Sequence, residues 1–430
     1  MAQARPGRAV DATRARLAPL KLPEGAAPLT AARQAALARL SDMGLPGRRD
    51  EYWRFTDPAI LNAPEAPAAA VLETDEAPVF DAIDRLRLVF VDGVFDPAQS
   101  DDPALAGVEI SRLAEVADDD IHWAHGLYGT LEARGQVPVA RPFAALNTAF
   151  AGDGVLIRVT GRAARPVSLC YLHRDARSDI MLHHVVRVES GASLTLLENG
   201  PAAARQNKVL EVDIADGGAF HHVRAQGRDH ERRAITHIFA RLGTESLFKS
   251  FTLTVNGSLV RNEAVIELTG DNATAHIAGA AVGDGAFHQD DTVFVTHDAL
   301  NCESRQVFKK VLRNGATGVF QGKILVKEGA QKTDGYQISQ GLMLDGDSEF
   351  LAKPELEIYA DDVACSHGST TGAIDEEALF YLRSRGVALQ DAQDMLVLAF
   401  LSEALDEVES EEIAGDLRAR LEAWLERRRG

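Results

Sequence analysis

Cysteine is scarce in this chain of 430 residues: only Cys170, Cys302 and Cys365 occur, far apart. That excludes a disulfide framework and a Cys-x-x-Cys metal knuckle, and it suits a reducing compartment, so a cytoplasmic protein is expected. Long apolar runs are missing too. The longest uninterrupted one, residues 395–401, falls far short of the roughly 20 residues that a membrane helix needs. Basic residues are outnumbered, 45 Lys plus Arg against 64 Asp plus Glu, which leaves a formal charge of −19. A surface this acidic is repelled by phosphate backbones and anionic lipid, which argues against nucleic-acid or membrane-surface binding. Catalytic signatures are equally thin. No HExxH, no GxSxG and no GxGxxG after a strand appears. GVFQGKI at 318–324 resembles a phosphate loop, but its glycines sit one residue too close and Ile324 stands where Ser or Thr would hold magnesium. Composition alone describes a soluble, acidic protein of two or three domains.

What is present divides into three textures. The first 20 residues carry Arg5, Arg8, Arg14 and Arg16 without the apolar core of a secretory signal, and read as an Ala-rich helix. Residues 1–150 mix helical patches with one clear strand, LRLVFVDG at 86–93. From there to about 372, short β-branched runs alternate with Gly, Asn and Asp turns, and no segment holds a helical stripe. Residues 373–430 are helical again. The expected domains are therefore a mixed N-terminal one (1–150), a β core (151–372) and a C-terminal helical one (373–430).

The β core repeats. Small turn residues at Gly191, Gly218, Gly243, Gly257, Asn272, Gly285, Gly315 and Gly329 recur at about 14 residues or twice that spacing. Between them the alternation is clean: Phe320, Gly322, Ile324 and Val326 point one way, Gln321, Lys323 and Lys327 the other. Likewise Asn262, Ala264, Ile266 and Leu268 alternate with Arg261, Glu263 and Glu267. Two such strands per coil give about 28 residues per turn of a parallel β-solenoid, whose inward side chains stack into one narrow core. An antiparallel sandwich is the competing arrangement, and the scarcity of two-residue hairpin signals stands against it. A solenoid exposes strand edges at its ends, and the helical regions on either side are expected to cap them.

In the C-terminal region, IDEEALFYLRSRG places Asp375, Glu376 and Glu377 at the positive end of a helix dipole, with Gly386 after its last turn. A helix around Met395–Leu401 is apolar on all sides and expected to be buried. The last helix puts Ile413, Leu417, Leu421, Trp424 and Leu425 on one stripe, read as internal core, with a partner surface as the second reading.

Few residues suggest chemistry. The doublets His183–His184 and His221–His222 cannot chelate from one strand, because neighbours point to opposite faces, and they read as core or solvated histidines. Cys365 and His367 in DDVACSHGST are different. Two apart on an extended segment, thiol and imidazole share a face and could meet one ligand, suited to iron, zinc or a persulfide sulfur. Two ligands do not close a metal site, so a functional site here needs residues from another chain. A buried cysteine beside a capping histidine is the plainer reading.

At these residues the chain resembles the SufB/SufD scaffold proteins of iron–sulfur cluster assembly. The resemblance is densest over residues 261–387, in HDALNCESRQVFKKVLRNGATGVFQGKILVKEGAQKTDGYQ and KPELEIYADDVACSHGSTTGAIDEEALFYLRSRGV. DEYWRFTDP (50–58) and RPFAALNTAF (141–150) add to it. The resemblance implies a right-handed parallel β-helix between helical terminal domains. It also implies a scaffold without turnover of its own, pairing with SufB through the β-helices and docking the ATPase SufC, which binds the ATP, on its C-terminal helices. His367 would then contribute to a transient iron–sulfur cluster opposite a SufB cysteine, with Cys365 beside it. Within the family, Gly368–Ser369 after His367 and the absence of cysteine from ISQGLMLDGD (338–347) favour the SufD branch over the SufB branch. Deleting the chain after about Arg385 is expected to remove SufC binding and leave the solenoid folded. A β-solenoid enzyme acting on polysaccharide is the reading from another class; Asp290–Asp291 and Asp361–Asp362 are its only acid candidates, and an autonomous metal sensor built on Cys365 is a third.

Overall fold

The computed structural model describes residues 7–71, 77–200, 202–227 and 231–428. Its helices are α1 (Gly7–Leu17), α2 (Ala27–Met43), α3 (Ala59–Asn62), α4 (Thr130–Arg134), α5 (Pro142–Phe150), α6 (Glu376–Ser384), α7 (Leu389–Leu405) and α8 (Glu411–Glu426). Between α5 and α6 the chain is all strand, and successive strands go alternately to a ten-stranded and a nine-stranded sheet. Strands within this stretch pair with one another in parallel only. Thr236 lies beside Asn262, Asn262 beside Asp291, and Asp291 beside Phe320, so each coil takes about 28 residues. The result is a parallel β-solenoid of about seven turns, and the sandwich alternative is excluded because its strands would run antiparallel.

The repeating turn residues have a backbone reason. Glu245, Asn272, Asn301 and Lys332 all adopt positive φ at equivalent corners, a conformation that asparagine tolerates better than most residues. The Asn301 amide donates to Asn272 Oδ1 at 2.7 Å, so successive corners are tied side chain to side chain.

Both outer faces are covered. On the nine-stranded sheet lie α2, α5 and the segment 50–58. Asn147 of α5 donates to the carbonyls of Leu182 and Asn207 at 3.1 and 2.8 Å. The Tyr52 carbonyl accepts from Arg261 and Gln321, and Thr56 donates to Asp290 at 2.6 Å. Arg261 and Glu263 do point outward, as the alternation implies, yet both are buried beneath these elements. On the ten-stranded sheet lie α7 and α8. Their Val397, Leu401, Leu417, Leu421 and Trp424 form one apolar cluster with the outward-facing Phe251, Leu253, Ala278, Ala280, Val307 and Val311. The α8 stripe is internal core throughout. In α7 only one side is sealed: Val397 and Leu401 are buried, whereas Met395 is 50% exposed, which corrects the expectation of a helix buried all round.

The two ends differ. At the N-terminal end, strand Leu86–Val91 pairs in parallel with Val167–Leu172 and antiparallel with Val94–Phe95, while Val108–Arg112 runs antiparallel to Val155–Val159. These folded-back strands finish both sheets. At the other end nothing follows the last strands, Glu349–Ile358 and Ala364–Gly372, on their outer edges. The C-terminal helices pack along the flank, so the expected cap at this end is missing among the described residues.

Candidate functional site at the open end of the solenoid

The open end presents rows of side chains that are sealed one turn below. Phe320 and Ile324 are fully buried, but their neighbours on the final strand, Ala352 and Leu356, are only partly covered. On the facing sheet, Cys365 pairs with Gly335 and His367 with Gln337, so both project from the same lumen-facing row pattern. The sequence therefore places the pair correctly: one strand, one face, two residues apart.

Their surroundings are unlike. Cys365 is half-buried against Ile324, Val326, Ala330 and Leu356. Gly335 makes room for it; a Cβ there would lie 3.2 Å from the thiol sulfur. Burial pushes the Cys365 thiol up, aided by the nearby Asp334 carboxylate and only partly opposed by the Gly335 backbone N–H, so it stays protonated at neutral pH. His367 is exposed on the last strand of the ten-stranded sheet. Of the two, the histidine is the more accessible group.

The other candidates are accounted for inside the fold. His183 pairs with Glu211 at 2.9 Å, and His184 meets the Tyr171 hydroxyl at 3.0 Å with burial holding its imidazole down to about 3. His222 bridges Glu198 and Ser250 at 2.8 and 2.9 Å, and Glu198 also pairs with the buried Lys208. His221 faces the opposite way, 3.5 Å from Glu409 on the α7–α8 connection. No group of three or more His, Cys, Asp or Glu among the described residues is arranged to hold a metal ion. Asp290 pairs outward with Arg261, while Asp291 points into the lumen, 2.9 Å from Lys310. Buried on opposite faces, these two cannot act as a pair of acids on a sugar. Residues 318–324 lie within strand Thr317–Val326, so no phosphate loop exists there. A cavity of about 560 Å³ lies between the N-terminal region and α8 and does not include His367.

Sequence reasoning missed two residues here. Gln337 and Gln306 occupy the row directly beneath His367 and are fully buried. A polar residue at an inward position of an otherwise regular alternation was the available signal.

The open end of the parallel solenoid thus displays an exposed His367 beside a half-buried Cys365. The model of the "SUF system FeS cluster assembly, SufBD core domain" matches residues 171–400, and that of the "SufBD protein N-terminal region" matches residues 22–167. The chain belongs to the SufBD family. It is similar to the iron–sulfur cluster assembly protein SufD of Escherichia coli, 29% identical with 90% of this chain and 91% of that one covered. A SufBD family protein of Synechocystis is 28% identical over 90% of this chain and 89% of its own. SufD of Bacillus subtilis is 25% identical over 64% of each. Likeness to the SufD proteins agrees with the branch read from the residues after His367. No helix among the described residues is long and apolar enough to cross a membrane.

Proposed function

We propose that this chain is the SufD-type scaffold subunit of a cytoplasmic SUF machinery, pairing end to end with SufB and contributing His367 to a cluster assembled as cargo at the junction. The observation that carries this reading is the open end itself. Two strand edges and a partly covered apolar lumen would be costly to leave in water, and a second solenoid end would satisfy both. Cys365 is the second contributor, and it acts only if a partner or iron draws off the proton that burial retains. The chain performs no turnover of its own; ATP is bound by SufC.

The test is co-expression with SufB and SufC. His367→Ala is expected to leave the complex assembled, because the imidazole is exposed and makes no hydrogen bond among the described residues, while cluster formation in cells that depend on the system falls at least tenfold. Normal cluster formation by that variant removes His367 from the site.

SufC docking is supported by α6. Asp375 caps this helix through the amides of Glu377 and Ala378, yet the helix buries none of its residues and leaves Phe380 and Tyr381 74% and 55% exposed. Exposed aromatics on a well-capped helix are the pattern of an interface anchor. Phe380→Glu combined with Tyr381→Glu is expected to abolish SufC retention in a pull-down and leave the melting temperature of the isolated chain within about 2 °C. Retention of SufC by the double variant would place the ATPase elsewhere.

A further inference from the structure

His367 stands on Gln337, and Gln337 on Gln306, in one inward row of the ten-stranded sheet; below them the row becomes apolar at Ile277. Both glutamines are 0% exposed. Neither end of either amide has a hydrogen-bond partner among the described residues. Burying an amide unpaired costs roughly 1–3 kcal/mol, and this row does so twice in succession, immediately beneath the exposed imidazole of His367. The facing strand makes space for the upper one. A Cβ at Gly322 would lie 2.5 Å from Gln337 Oε1, so glycine keeps the room into which that amide extends.

We infer that Gln337 is the positioning residue of His367, with Gln306 orienting Gln337 in turn. This rests on the reading of His367 as a cluster-site ligand. Adjacent rungs lie about 4.8 Å apart, close enough for side chains of one row to meet by a single rotamer change. An imidazole that binds metal through one nitrogen needs its other N–H held, and a carbonyl oxygen is the usual holder. Gln337 Oε1 accepts that proton, the Gln337 amide nitrogen donates to Gln306 Oε1, and the second ring nitrogen is left with its lone pair turned out of the open end. A ladder of amides thus converts unpaired buried polarity into a fixed tautomer at the rim.

The experiment uses the full chain with ring-¹⁵N histidine, the His367 signals being those lost in His367→Ala. In the unsubstituted chain one tautomer is expected to dominate; Gln337→Met, similar in volume and without hydrogen bonds, is expected to give a mixture. In the complex with SufB and SufC, Gln337→Met is expected to slow cluster formation about tenfold without loss of assembly. Identical ring signals in Gln337→Met and the parent overturn the inference. Should Gln337→Met fail to fold, Gln337→Asn, which withdraws the amide by one methylene, is judged by the same two readouts. If His367→Ala itself builds clusters normally, the site reading has failed; if only Gln337→Met does so, the positioning role alone has.

Discussion

Glu263→Gln is expected to lower stability by about 3–5 kcal/mol, the cost of removing one partner from a buried charge cluster. Glu263 lies between Arg261 Nε at 2.7 Å and Arg141 Nε at 3.0 Å, and all three are buried where the N-terminal elements meet the nine-stranded sheet. Burial works against this carboxylate's charge, but the Arg261 guanidinium above all, then His237 and Arg141, outweigh it and hold Glu263 down to about 2. Glu263 is the one carboxylate paired with Arg141 among the described residues, so the glutamine leaves that guanidinium buried without a counter-charge. Because Arg141 opens α5, hydrogen exchange across residues 141–150 is expected to accelerate before that of the inner strands. The pH dependence follows from the same carboxylate. Its folded value is depressed below the ordinary 4.5, so its stabilisation is fully present above about pH 4.5 and is lost as pH falls from there through about 2. In the Glu263→Gln variant, stability measured by denaturant titration is expected to depend less steeply on pH across that window. An unchanged denaturation midpoint and an unchanged acid limb would show that the cluster contributes nothing net.

The second large effect concerns the C-terminal helices. Truncation after Arg385 is expected to collapse soluble yield, in contrast to the intact solenoid anticipated from sequence. The reason lies on the outward rows of the ten-stranded sheet. Phe251, Leu253, Ala278, Ala280, Val307 and Val311 are buried in one cluster with Val397 and Leu401 of α7 and Leu417, Leu421 and Trp424 of α8. Removing the helices bares a contiguous apolar face next to parallel strands, which is an aggregation surface. Ion pairs along the seam, Lys249 with Glu409 at 2.6 Å and Arg305 with Glu407 at 2.7 Å, are partly solvated and contribute little by comparison. The milder Trp424→Ala, at a fully buried ring with the Arg428 guanidinium 4.3 Å from its centre, is expected to cost about 3–5 kcal/mol by calorimetry. A soluble truncated chain with native far-ultraviolet circular dichroism and no dye binding would contradict this account. So SufC docking is better tested at Phe380 and Tyr381 than by deletion.

These two cases show where the sequence could be read and where it could not. Strand direction and coil length were legible because backbone geometry enforces them: a period of two along each strand and a turn residue at each corner. The pairing of Cys365 with His367 on one face followed from the same period. What covers a face is not periodic. Arg261 and Glu263 alternate with core residues as solvated charges would, and nothing local announces that Tyr52, Trp53 and Arg141 come from some 100 to 200 residues away to bury them. DEYWRFTDP and RPFAALNTAF, which carry the family resemblance, are the two anchors of that cover. The missing cap was illegible for a related reason. Helices after the last strand could fold over the end or back along the side, and the choice depends on apolar outward rows that look like ordinary alternating strands.

The unequal ends set a limit on growth. A parallel rod sticky at both tips could add copies indefinitely and become a fibre. Here Val94–Phe95 and Val108–Arg112 fold back and blunt one tip, so any end-to-end addition would be confined to the other. Under the proposed pairing with a second solenoid, polymerisation would be stopped by a few antiparallel residues at the tip opposite His367.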